Sequence, residues 1–168
     1  DKLSPLCLWI DEIEKGFAAS AGESDGGVSQ RVLGTFLTWM QEKSVFVFIA
    51  ATANVIELLP PEVLRKGRFD QIFFVTLHNA QERKSIFSIH LKKNGDDLSQ
   101  INLDMLVKVT EGFNGAEIEQ AVNGAMIEAF NSGRPVNEQD LVISAGNIVP
   151  LSTTMREEIG RMERWAYN

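Results

Sequence analysis

Leu6-Cys7-Leu8-Trp9-Ile10-Asp11-Glu12 runs apolar for five residues and then stops at two carboxylates. A short apolar run without alternation reads as a strand buried on both faces, the pattern of a parallel sheet. Cys7, the single cysteine, then reads as a small buried hydrophobe. It has no partner for a disulfide within the chain, which fits a reducing compartment.

Outward from this strand the chain keeps alternating. A loop rich in small residues spans Ala18 to Gly27, and Val28 to Glu42 carries Val28, Val32, Phe36, Leu37 and Met40 at helical spacing. Val45-Phe46-Val47-Phe48-Ile49-Ala50 predicts a second buried strand. Pro60-Pro61 predicts the start of a short helix, because proline suits the first turn. Ile72-Phe73-Phe74-Val75 predicts a third strand. Strands and helices in this order predict an α/β fold with a parallel sheet and crossover connections.

After Asn79 the pattern turns helical. Helices are predicted over Asn79 to Lys93, Leu103 to Val109 and Ala116 to Phe130. Asn137 can cap another, with Asp140 three residues on. The tail, Ser152 to Tyr167, sets Met155, Ile159, Met162 and Trp165 along one face. The predicted division is an α/β part over residues 1–77, a helical part over 78–147 and a C-terminal helix over 148–168.

Composition narrows the function classes. The chain has 168 residues, 44% hydrophobic and 23% charged, an ordinary globular balance. No apolar run approaches the roughly 18–20 residues that a membrane helix needs, so no membrane partner is expected. The N-terminus lacks the basic flank and cleavage site of a signal peptide. A net charge of −7 argues against nonspecific nucleic-acid binding, since a phosphate backbone wants a basic face.

Three features carry chemistry. A strand ending in Asp11-Glu12 places carboxylates where open α/β sheets bind ligands. An aspartate there can hold Mg²⁺ through hard oxygen, and a glutamate beside it can take a proton from water. The same pair also reads as a solvated acidic pair at a helix start. Ala50-Ala51-Thr52-Ala53-Asn54 ends the second strand, and Asn54 can orient a water or simply cap a turn. Leu64-Arg65-Lys66-Gly67-Arg68-Phe69-Asp70 offers arginines that could stabilise a transferring phosphoryl group, or a basic surface turn.

Taken together and in this order, these segments resemble the AAA clade of the AAA+ ATPases. The spacing of thirteen positions from Asn54 to Gly67 also matches that family. The resemblance implies a partial P-loop NTPase core followed by a helical lid, with ATP and Mg²⁺ as cofactors. It implies that Asp11 is the Walker B aspartate on the metal side, Glu12 the catalytic base and Asn54 sensor 1. Arg65 and Arg68 become arginine fingers that reach a neighbouring subunit's nucleotide, in a ring expected to be a hexamer. Ser88-Ile89-His90-Leu91 resembles the lid segment whose histidine lies near the adenosine, although His90 on composition alone is a satisfied core residue. Gly112-Phe113-Asn114-Gly115-Ala116-Glu117 is similar to the segment whose glycine and alanine, here Gly115 and Ala116, bring backbone close to the base. No arginine follows at the sensor 2 position, as is general in this clade. Trp9 to Lys15, Phe36 to Trp39 and Pro150 to Ser152 resemble in particular the AAA-family ATPase of cyanobacterial and plastid genomes. That implies a cytoplasmic or stromal location and a macromolecular substrate, expected to be a protein.

One departure stands out. No G-x-x-x-x-G-K-[S/T] segment occurs, so the loop that would wrap the phosphates is missing from the sequence. The expectation is a piece that starts inside a domain, keeps three of five strands and exposes a sheet edge prone to association. Such a piece is expected to be inactive alone. Ala18 to Gly27 falls where the family places pore loop 2, and it reads equally as a connector. An assembly module that hydrolyses nothing is the alternative function.

Overall fold

The computed structural model describes residues 5–18, 26–42, 46–93 and 101–167, without the side chains of 18 and 26–30. The chain divides into two compact units, Asp1–Phe74 and Val75–Asn168.

In the first unit, β1 (Leu6–Ile10) and β2 (Val47–Ala51) pair in parallel, with Leu8 beside Ile49 and Ile10 beside Ala51. Between them run α1 (Ile13–Ala18) and α2 (Gly26–Glu42). Ile13, Phe17, Leu37, Leu59 and Val63 form the buried core, and Ile10 and Ala51 pack against it. Partners in a parallel ladder share a face. Cys7 with Phe48 and Trp9 with Ala50 therefore point the other way. There Trp9 is 64% exposed, Phe48 is 70% exposed, and Cys7 is exposed as well. This corrects the expectation of a strand buried on both faces and of a buried Cys7. Among the described residues of this unit, helices pack on one side of the sheet, and a continuous apolar run does not by itself say how many layers will cover it.

Three further expectations need correcting. Ile72 to Val75 forms no strand, and Ile72, Phe73 and Val75 are exposed. A β-prone run becomes a strand only against a partner edge, and none takes it among the described residues. Pro60-Pro61 opens a turn rather than a helix. A 3₁₀ turn at Ile56–Leu58 precedes it, and Leu59, held extended before Pro60 at ψ 131°, ends that turn. The short helix α1 lies where the sequence showed no element, and α2 opens at Gly26 rather than Val28. The reading of 18–27 as a pore loop falls mostly outside the described residues, as does Val45.

The second unit is all helical: α3 (Ala80–Lys93), α4 (Leu103–Val109), α5 (Gly115–Asn131), α6 (Glu138–Gly146), α7 (Leu151–Thr154) and α8 (Arg156–Tyr167). Phe87, Leu91, Leu106, Phe113, Ile118, Val122 and Leu141 are among the side chains of its core. Reciprocal caps set the helix starts. Asn79 and Glu82 exchange bonds of 2.8 and 3.0 Å ahead of α3. Asn114 with Glu117 and Asn137 with Asp140 do the same for α5 and α6. Arg83 is buried and donates to the carbonyls of His78 and Val107. The tail, expected as one helix, is two, broken at Met155 with φ −117° and ψ 33°. Glu117 reaches across to accept the Leu151 N–H at 2.6 Å, so the start of α5 pins the start of α7.

Candidate active site

The ladder ends where the chemistry begins. Thr52 N–H donates to the Ile10 carbonyl at 2.9 Å, and Ile13 N–H donates to the Thr52 carbonyl at 2.9 Å. These bonds lay Thr52-Ala53-Asn54 alongside Asp11-Glu12-Ile13. Thr52 then works twice: its hydroxyl donates to Asp11 Oδ1 at 2.5 Å and accepts from Glu12 N–H at 3.0 Å.

Glu12 adopts a left-handed backbone, φ 49°, the one non-glycine residue at positive φ among those described. A side chain in that region costs on the order of 1–2 kcal/mol, and such strain gathers at functional sites. The turn aims the carboxylate back across the strand ends. Asn54 Nδ2 donates to Glu12 Oε1 at 2.9 Å, and Lys15 Nζ donates to Oε2 at 2.6 Å. The bond from Glu12 raises the Lys15 ammonium above its ordinary value. Glu12 is thus an acceptor with a defined direction, placed to take a proton from a water.

Asp11 is exposed and engages the Thr52 hydroxyl through one oxygen. An exposed carboxylate beside a hydroxyl is the hard-oxygen donor set that Mg²⁺ takes. Glu14, in the first turn of α1, is 2% exposed and accepts the Asn54 N–H at 3.0 Å.

The structure brings Asp11, Glu12 and Asn54 into one hydrogen-bonded cluster. Arg65 and Arg68 take no part in it. Arg65 is exposed, and the Arg68 guanidinium donates to the Leu37 carbonyl on α2. Gly67 between them has φ 89°. The remaining candidates belong to the second unit. His90 is half-buried on α3, its Nδ1 3.6 Å from Glu119 Oε1. Gly115 and Ala116 open α5, and a Cβ at 115 would lie 3.4 Å from His78 Nε2. His78 also lines a shallow depression of about 350 Å³ with Gln81, Glu82, Ser85 and Ile86. A larger one, about 430 Å³ on α2, is lined by none of the candidate residues.

Sequence reasoning passed over Thr52, Glu14 and Lys15. Thr52 was within reach, since a period of two puts it on the same side as Asn54. The Glu12-x-x-Lys15 spacing also carried a signal, because residues three apart meet on a helical turn. Glu14 carried none, as nothing in its neighbours marks a buried carboxylate.

Comparison with known proteins gives a consistent result. A model of the ATPase family associated with various cellular activities matches residues 1–77, and a model of the AAA+ lid domain matches residues 100–143. The uncharacterized AAA domain-containing protein ycf46 of Guillardia theta is 45% identical over 99% of this chain and 33% of its own length. A proteasome-activating nucleotidase of Sulfurisphaera tokodaii is 37% identical over 86% of the chain and 38% of its own length. The ATP-dependent zinc metalloprotease FtsH of an aster yellows witches'-broom phytoplasma is 34% identical over 82% of the chain and 21% of its own length. The chain spans about a third of the length of the first of these relatives. Among the described residues no helix is long and apolar enough to cross a membrane.

Proposed function

Because the chain belongs to the AAA+ ATPases, with ATPase core and lid matched in that order, we propose that it forms the hydrolysis half of an ATP-driven motor acting on macromolecules. The observation that carries this is the clasp on Glu12: a carboxylate in a strained turn, oriented by Asn54 at the end of the neighbouring strand.

Glu12 accepts the proton of the attacking water, and Asn54 holds both carboxylate and water in line. Asp11, steadied by Thr52, would hold Mg²⁺, which when bound neutralises charge on the phosphates. On the family's pattern His90, Gly115 and Ala116 supply the surface for the base. Arg65 and Arg68 serve the nucleotide of the next subunit in a ring, with six subunits expected. Exposed Arg65 is free to do so at once, whereas Arg68 must first leave the Leu37 carbonyl. The chain itself contains no phosphate-binding loop, so it is not expected to turn over ATP alone. Two relatives bear names tied to proteolysis, which supports a protein as the macromolecule acted on. A cytoplasmic or plastid-stromal setting goes with the ycf46 relationship.

The test is ATP binding and hydrolysis by the full-length protein and its Glu12→Gln variant. The variant is expected to bind ATP with little change while kcat falls at least about 100-fold, the scale of losing a general base. Unchanged turnover in the variant removes Glu12 from this role. A full-length protein that neither binds nor hydrolyses ATP makes the assembly-module reading the better one.

A further inference from the structure

Glu14 is a buried carboxylate that the chemistry above does not use. It is 2% exposed, its Oε1 accepts the Asn54 N–H at 3.0 Å, and its Oε2 finds no hydrogen-bond partner among the described residues. Burying a carboxylate with one oxygen unmatched is unfavourable, so its one good bond has to return something. Tying α1 to β2 is not the answer. Ile13 N–H to the Thr52 carbonyl, Thr52 N–H to the Ile10 carbonyl and Glu12 N–H to the Thr52 hydroxyl already join the strand ends. What the Glu14 bond adds is specific to Asn54. Lys15 N–H donates to the Glu12 carbonyl at 2.9 Å, so Glu12 and Glu14 lie in one fixed turn. From that turn Glu12 takes the side chain of Asn54 and Glu14 takes its backbone.

We propose that Glu14 is a positioning residue that holds the backbone of Asn54, and through it the carboxamide that orients Glu12 and the attacking water. Its catalytic consequence rests on the ATPase reading; the geometric claim does not. With the Glu14 bond gone, the Asn54 backbone is free to shift, and a misplacement of about 1 Å is enough to lower a rate on the order of 100-fold. The requirement is for an acceptor at the reach of a glutamate, so glutamine serves, aspartate falls short by one methylene and leucine offers nothing.

The experiment uses the full-length protein and Glu14→Leu, Glu14→Asp and Glu14→Gln variants, with two readouts. Hydrogen exchange of the peptide containing Asn54 is expected to speed up at that amide about tenfold or more in the leucine and aspartate variants, as local opening becomes easier. It should stay within about threefold of the parent in the glutamine variant. Steady-state ATPase should show kcat down about 10- to 100-fold with KM within about twofold in the same two variants, and rescue by glutamine. On an Asn54→Ala background the Glu14 substitutions should lower kcat no further, because the two act as a unit. Unchanged exchange at Asn54, failure of glutamine to rescue, or full additivity with Asn54→Ala each overturns the proposal. Should the leucine variant fail to fold, the aspartate variant decides. A parent protein that hydrolyses no ATP sinks the ATPase reading, and the exchange comparison still decides whether Glu14 positions Asn54.

Discussion

Glu12 shows how one residue can be both strained and held. Its φ of 49° is a conformation glycine adopts freely and glutamate does not. The Thr52 hydroxyl, the Asn54 amide and the Lys15 ammonium hold it there. Replacing Glu12 by glycine relieves the strain and removes the carboxylate proposed as the base at once. Glu12→Gly is therefore expected to be as stable as the parent or up to about 1 kcal/mol more stable in denaturant titration, while hydrolysis by the full-length protein is lost. A variant clearly less stable than the parent would show that the two carboxylate bonds, from Asn54 and Lys15, outweigh the strain, since glycine keeps the N–H bond to Thr52. That Asp11, Glu12 and Asn54 lie just past the strand ends was legible in the sequence, because a strand end announces itself by where an apolar run stops. The backbone of Glu12 was not legible, because φ at that position is set by bonds to residues some forty positions away.

Elements were legible where their determinants are local. Leu103–Val109 has the bounds expected, and Asn137 caps α6 with Asp140 as its reciprocal partner. Both depend on side chains within one turn. Ile72 to Val75 misled because strand formation needs a partner edge, which no local pattern encodes. The break at Met155 was missed because the apolar stripe runs on through it. The turn between α4 and α5 gives a sharper test. Gly112 has φ 78°, and a Cβ there would lie 2.5 Å from Ser152 Oγ and 3.3 Å from Ser152 Cβ. Gly112→Ala is expected to cost about 1–2 kcal/mol from the backbone alone. Adding Ser152→Ala should recover only the steric part, which thermal melts of the single and double variants can read. Full recovery would mean that the backbone conformation is not the constraint.

At the scale of the molecule, two units with separate cores carry separate sensitivities. In the helical unit, Arg134 grips Asp140 with two bonds, 2.5 and 2.7 Å, and the aspartate side chain is 6% exposed. The Arg134 bond, helped by the Asn137 N–H and opposed by burial, holds the Asp140 carboxyl below its ordinary value of 3.8. A depressed carboxyl contributes stability that is present above the unfolded value and lost as pH falls through the folded one. The helical unit is thus expected to weaken below about pH 3.8, and Arg134→Gln should be less stable at neutral pH with a shallower acid limb. Equal acid limbs in parent and variant would show that other carboxylates set the response. The first unit shows the opposite exposure: among its described residues the sheet has one face packed on helices and one bare. Cys7 stands on the bare face and is the only thiol in the sequence. Alkylation with a maleimide dye therefore has a single place to go, and its rate counts how often that face is open. Whatever comes to lie over Trp9 and Phe48 will announce itself as a thiol that stops reacting.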